Sequence, residues 1–178
     1  MDLKGIIESV VKNMLGSMAY QDVENFVTVM GEVEYFSTTG TSVTIASASD
    51  GSTNMVAAVV ASETMTSLYF DNGGANTGRI RYIGKKPRML HLACSISMTP
   101  AISNDQFVMG IAKNGTVDPD CKAIQKMGTT SDTQSTALHC MTEVVYGDYM
   151  ELYVGNMSGA RNVTIKSLNI GVVGTITL

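Results

Sequence analysis

At 178 residues the chain is the size of one domain, and it holds 16% charged against 44% hydrophobic residues, where an average soluble domain carries roughly 25% charged. Its net charge of −4 and pI of about 5.1 exclude a protein whose main work is binding phosphate backbones. The 19 Thr and 16 Ser mean that much of the polar surface is hydroxyl rather than ionic.

In chain order, residues 2–15 carry a helical pattern. Leu3, Ile7, Val10 and Met14 fall at spacings of four and three, the seam of a coiled coil, and Ile6, Val11 and Leu15 widen the stripe. Gly16 and Ser17 end it as a C-terminal cap does. A helix this short is marginal alone in water, so the stripe needs a partner: its own body, sister copies or a larger assembly. Asp2, Lys4, Glu8 and Lys12 interrupt any secretory apolar core, so no secretion signal is expected. The longest apolar run, residues 55–61, is too short to span a bilayer, which takes about 20 residues.

Residues 18–63 read as a linker with short strands at 32–36 and 41–46, turn-rich loops at 37–40 and 47–54, and at 55–61 a fully buried strand, with a helix turn as the second reading. From residue 64 onward the pattern is β. Leu90, Leu92, Cys94, Ile96 and Met98 face away from His91, Ser95 and Ser97, and Met150, Leu152 and Val154 alternate with Tyr149, Glu151 and Tyr153. Asn72-Gly73 and Asn114-Gly115 are hairpin turn signals. The last strand starts with Val163 and Ile165 inward, then shifts phase to Leu168, Ile170 and Val172, which predicts a β-bulge near Lys166–Ser167. The predicted strands lie near 64–71, 79–83, 88–98, 106–113, 120–127, 136–145, 149–155 and 162–177. About eight antiparallel strands with no intervening helix predict an all-β jelly-roll sandwich over 64–178, preceded by the helical segment 1–17 and the linker 18–63.

One order of motifs stands out. Residues 68–74 (LYFDNGG) lead to 78–84 (GRIRYIG), 86–97 (KPRMLHLACSIS), 108–115 (VMGIAKNG), 148–157 (DYMELYVGNM) and 162–170 (NVTIKSLNI). This order resembles small structural domains of tailed bacteriophages, of the trimeric jelly-roll kind also seen in tumour-necrosis-factor-like proteins. Residues 15–29 (LGSMAYQDVENFVTV) look like the linker of phage fibre proteins. The resemblance implies a homotrimeric virion structural protein, made in the host cytoplasm, with no catalytic motif to carry over. Obligate interfaces are more apolar than ordinary surface, and the low charge agrees with that.

The side chains that offer chemistry are few. Arg79, Arg81, Lys85, Lys86 and Arg88 place five of the 12 Lys+Arg within ten residues. They suit contact with an anionic surface, capsid or bacterial envelope, or else form a solvated hairpin. With only Tyr82 interleaved, a single-strand nucleic-acid platform is not indicated. His91 and Cys94 point to opposite faces of a strand, as do His139 and Cys140, so neither pair chelates a metal. A ring of His91 or His139 around a trimer axis is the remaining metal geometry, and no metal or other cofactor is assigned. Cys94, Cys121 and Cys140 are scattered without a C-x-x-C. They predict neither a disulfide framework nor a zinc ribbon but a reducing place of synthesis, with Cys94 and Cys140 as buried thiols. Asp118-Pro119-Asp120 offers too few oxygens for Ca²⁺ and reads as turn chemistry. Glu143 and Glu151 flank a predicted hairpin, the one carboxylate pair that glycoside hydrolysis could use, yet both sit in a polar strand phase. No enzyme is predicted.

Two roles remain: a trimeric capsid decoration (cement) protein seated on the major capsid protein, and a tail or head fibre tip that binds a host surface glycan. Fourteen helical residues reach only about 21 Å, a short stalk for a fibre. The apolar stripe suits docking into an assembly. Decoration of the capsid is the favoured expectation, without nucleic acid or membrane insertion.

Overall fold

The computed structural model describes residues 28–74 and 78–176, and among them the chain is all-β with no helix. The expected helix and its stripe of Leu3, Ile7, Val10 and Met14 lie outside the described residues. The strands are β1 (Val29–Val43), β2 (Val56–Ala57), β3 (Thr64–Leu68), β4 (Phe70–Asp71), β5 (Arg79–Tyr82), β6 (Arg88–Pro100), β7 (Gln106–Lys113), β8 (Thr116–Lys126), β9 (Gln134–Val144), β10 (Tyr149–Asn156) and β11 (Val163–Ile176). They build two antiparallel sheets. Sheet I has the order β3-β1-β11-β6-β9, and sheet II the order β4-β5-β10-β7-β8 with β2 paired to β10. Leaving aside β2, β3 and β4, the other strands counted along the chain run 1-8-3-6 in one sheet and 2-7-4-5 in the other, the doubled Greek-key path of a jelly roll.

The core fills the space between the sheets. Leu90, Leu92, Ile96 and Ile165 from sheet I meet Ile80, Tyr82, Phe107, Met109 and Leu152 from sheet II, all almost fully buried. With no Trp in the chain, flexible Met98, Met109, Met127 and Met150 fill the remaining volume. Tyr82 buries its ring and donates its hydroxyl to the Lys86 carbonyl at 2.7 Å, which satisfies its one polar atom. Gly31 faces inward where an added Cβ would stand 2.8 Å from Ile80 Cδ1 and 3.0 Å from Phe70, so glycine is what lets β1 approach sheet II.

The expected bulge is present. Ile165 pairs with Met98 and Ser167 with Ser97, which leaves Lys166 as the extra residue. The same bend is matched on β1, whose register shifts between Phe36 and Thr41. Gly40 turns there at φ +78°, and Lys166 Nζ donates to the carbonyls of Thr38 and Thr39 at 2.9 and 2.8 Å. Asn114 and Gly115, both at positive φ, form the two-residue loop between β7 and β8.

Three expectations are corrected. Residues 29–43 are not a linker with two short strands but one strand of sheet I, paired with both β11 and β3. The hydroxyl-rich insert 37–40 breaks its alternation, which is why the pattern reads as two pieces. Residues 55–61 are not a fully buried strand: only Val56–Ala57 pairs, and Ala58 and Val60 are buried while Val59 is exposed. The run predicted at 64–71 is divided at Tyr69, whose φ of 70° carries the chain from sheet I to sheet II.

Of the cysteines, Cys94 is the buried thiol expected, and the reading of Cys121 and Cys140 is corrected. Cys94 is buried, and desolvation pushes its thiol up to about 12. Cys121 of β8 and Cys140 of β9 form a disulfide with a Cα–Cα distance of 5.7 Å. Each belongs to the edge strand of a different sheet, so the bond closes one side of the sandwich. Their pairing depends on two sheet edges coming together, which no sequence spacing reports.

At the opposite end of β7, Asp105 is buried. Arg161 Nε donates to its Oδ2 at 2.9 Å and Asn156 Nδ2 to the same oxygen at 2.8 Å. These bonds tie the start of β7 to the β10–β11 connection. The Arg161 hydrogen bond holds the Asp105 carboxyl below its ordinary range against the opposing effect of burial.

Two outcomes are expected. Closing a loop with 19 residues of separation stabilises by about 3 kcal/mol in the chain-entropy account. Urea unfolding with and without dithiothreitol, or of Cys121→Ser, should therefore show a lower midpoint on loss of the bond; an unchanged midpoint excludes a structural bridge. Because the Asp105 pKa is depressed on folding, its contribution is present above the unfolded value of about 3.9 and is lost as pH falls through the folded value. Asp105→Asn should be the less stable protein at pH 7 and should lose less further stability than the wild type between pH 7 and pH 3. Parallel acid losses in both proteins would contradict that role.

Candidate assembly face

Strand phase decides what sheet I shows to solvent. With Val33, Leu92, Ile170 and Val172 inward, the alternate residues of β1, β6, β9 and β11 face out. Cross-strand register lines them up in rows. Leu68, Met30, Val173, His91 and Met141 are successive partners across all five strands. Leu68, Met30, Val173 and Met141 remain 46%, 52%, 48% and 64% exposed, so an apolar band crosses the outside of the sheet.

The next row is Thr66, Glu32, Gly171, Ala93 and His139. Small Gly171 and Ala93 at its centre leave a groove of about 400 Å³ beside Met30, Leu68, His91 and Val173. Beyond it come Thr64, Glu34, Asn169, Ser95 and Ala137, then exposed Phe36 followed by Ser167, Ser97 and Ser135. Hydroxyls satisfy one another here: Ser97 and Ser135 Oγ are 2.7 Å apart, and Thr99 and Thr133 Oγ1 are 3.2 Å apart. Asn169 Nδ2 donates to Glu32 Oε1 at 2.6 Å. In these rows the acidic side chains are Glu32 and Glu34, both on β1, and there is no Lys or Arg.

Sheet II presents a different outer surface. Arg79 pairs with Glu151 at 2.8 Å and lies 3.9 Å over the Tyr149 ring. Arg81 holds Asp71 through Nε at 2.8 Å and Nη2 at 2.7 Å, which lowers the Asp71 pKa, chiefly through that hydrogen bond. Lys113 sits 3.4 Å from Asp148.

The five clustered cations therefore do not form one patch. Arg79 and Arg81 are matched to carboxylates, Arg88 is buried in the inward phase of β6, and Lys85 and Lys86 occupy the connection between β5 and β6. Glu143 and Glu151 are not brought together either, because Glu143 is on β9 of sheet I and Glu151 on β10 of sheet II. Asp118 accepts the Asp120 backbone N–H at 2.9 Å within the bulged part of β8, the local turn chemistry expected of it.

One pairing is new. Ala93 is the partner of His139 and His91 of Met141, so the two histidines are diagonal neighbours on the exposed face. Their rings stack with centroids 5.6 Å apart and 21° between planes. Each histidine's own neighbours along the strand gave no sign of this; the β6–β9 register supplies it. Among the described residues no three His, Cys, Asp or Glu side chains converge as a metal cluster.

No family model and no curated protein matches this chain. Among solved structures, PRD1 vertex protein P5 aligns over 85% of this chain and 99% of its own, at 9% identity and a TM-score of 0.48. Eiger TNF from S. frugiperda aligns over 85% of this chain and 96% of its own, at 13% identity and a TM-score of 0.48. Function does not transfer at such identities, and the fold rests on the chain's own strand order: an antiparallel two-sheet β-sandwich.

Proposed function

We propose that this chain is a structural protein of a bacteriophage particle, a homotrimer that decorates the capsid and acts by contact rather than catalysis. The phage assignment comes from the motif order across residues 68–170, which resembles tailed-phage structural domains. The assembly role is carried by one observation: the outer face of sheet I bears exposed apolar side chains at one level on four of its five strands, with His91 on the fifth, and the rows beside them hold Glu32, Glu34 and Glu143 but no Lys or Arg. A face left in water gains nothing from such a band, whereas burying it against sister copies yields roughly 25 cal/mol per Å² of apolar area.

The two faces then divide the work. Sheet I turns toward sister copies, and the ion-paired surface of sheet II turns toward water. The stripe of Leu3, Ile7, Val10 and Met14 serves as the docking segment for the shell. Contact with an anionic surface falls to exposed Lys85 in the β5–β6 connection, since Arg79 and Arg81 are matched to carboxylates and Arg88 is buried.

Val173 lies at the middle of the band and is half-exposed, so a charge there leaves the single chain intact but must be desolvated in an interface. Sedimentation equilibrium at micromolar concentration should return about three times the 18.9 kDa chain mass for the wild type. Val173→Glu should return the single-chain mass with an unchanged circular dichroism spectrum, a weakening of roughly 30-fold or more for about 2 kcal/mol per contact. A wild-type monomer, or a variant that keeps the wild-type mass, would overturn the assembly role. Binding to host cells but not to empty capsids would overturn decoration in favour of host recognition.

A further inference from the structure

We propose that His91, His139 and Met141 form a copper-binding site on the outer face of sheet I. The inference rests on the geometry of one chain and not on the assembly role.

Two imidazoles bound to one first-row ion at about 2.0–2.1 Å per metal–nitrogen bond have ring centres about 5 Å apart at a tetrahedral angle. The His91 and His139 rings stand at 5.6 Å, nearly parallel. To bind one ion both rings must turn out of this stack, so that their planes meet at the metal; rotation about the side-chain bonds of two exposed residues allows this with the backbone in place. Both side chains are exposed in the single chain, so an ion reaches them from solvent before copies meet, and the paired backbone of β6 and β9 fixes their spacing.

Met141 selects the metal. It is the direct cross-strand partner of His91 and lies two residues from His139 on the same face. Its side chain is 64% exposed, unbranched and able to swing over the imidazole pair. A thioether is a soft ligand that suits Cu⁺ and adds little for Zn²⁺, while an imidazole pair binds Cu²⁺ more tightly than Zn²⁺ by the general order of divalent affinities. Two nitrogens and one sulfur on an open surface therefore favour copper and leave a position for water or for a donor from outside the chain. His91 and Met141 belong to the same row as Val173 and Met30, so in an assembled particle the ion would sit at the contact between copies.

The test uses the full chain, with Cu²⁺ in air and Cu⁺ under ascorbate, each titrated against a competing chromophoric chelator, and Zn²⁺ as control. One equivalent per chain should bind, in the affinity order copper over zinc. His91→Gln or His139→Gln should weaken both copper states by about tenfold or more, through the loss of one metal–nitrogen bond. Met141→Leu should weaken Cu⁺ selectively and leave Cu²⁺ and Zn²⁺ within about twofold. Circular dichroism of each variant checks the fold, which these exposed positions should not disturb. Wild-type binding no tighter than that of the double histidine variant would overturn the site and leave the rings as a packing pair. Equal losses of Cu⁺ and Cu²⁺ in Met141→Leu would overturn the thioether's role. Sedimentation in EDTA reads assembly separately: a metal-free trimer with no copper affinity removes the site alone, and a monomer that binds copper removes the assembly role alone.

Discussion

Sheet I depends on one extra residue. Lys166 has no partner of its own in the pairing of β11 with β6, and this bulge lets Ile165 and Leu168 both face the core although they are three positions apart. Without it, every residue on one side of the bend would exchange faces, because strand side chains alternate with a period of two. The bend also needs room on the other neighbour of β11, which β1 provides through the insert that ends at Gly40. An added Cβ at Gly40 would stand 2.6 Å from the Ile165 carbonyl oxygen, so glycine and bulge form one device. From that phase follow the core, the outward position of Val173 and the row that joins it to Met30, His91 and Met141.

The low charge of the chain acquires a location from this. Sheet II carries three ion pairs on the outside, Arg79 with Glu151, Arg81 with Asp71 and Lys113 with Asp148, besides the charged side chains of β8. The outer rows of sheet I carry hydroxyls, an amide, small residues, two histidines and apolar side chains, with Glu32, Glu34 and Glu143 as carboxylates and no ion pair among them. A solvated β-sandwich has no reason to differ so sharply between its two outer faces. A sandwich that stacks copies of itself by one face does, since a charge at the centre of an interface must be desolvated whereas a hydroxyl can bond within its own sheet.

Much of the sandwich was legible in the sequence, and the failures have physical causes. Alternation over residues 90–98 and 150–154 marked half-buried strands because each has one core face, and the phase change at Lys166 marked the bulge. β1 was not read as one strand because residues 37–40 interrupt its period with hydroxyls and a glycine. The Cys121–Cys140 bond and the His91–His139 stack stayed hidden for a common reason. Each joins residues whose proximity depends on which strands become neighbours and in what register, and a single strand's pattern carries no such information. The cationic cluster erred in the opposite direction: five charges close in sequence are distributed by strand phase and by a turn among an outer face, the interior and a loop.

The central claim is that the outer face of sheet I is covered in the working protein. Methionine footprinting with dilute peroxide tests it directly, because Met30 and Met141 are 52% and 64% exposed in a single chain and an exposed thioether oxidises readily. Under single-hit conditions the account predicts that both are oxidised several-fold more slowly in wild-type protein at micromolar concentration than in Val173→Glu. Equal rates in the two proteins would mean that the face is open to solvent, and would contradict the account.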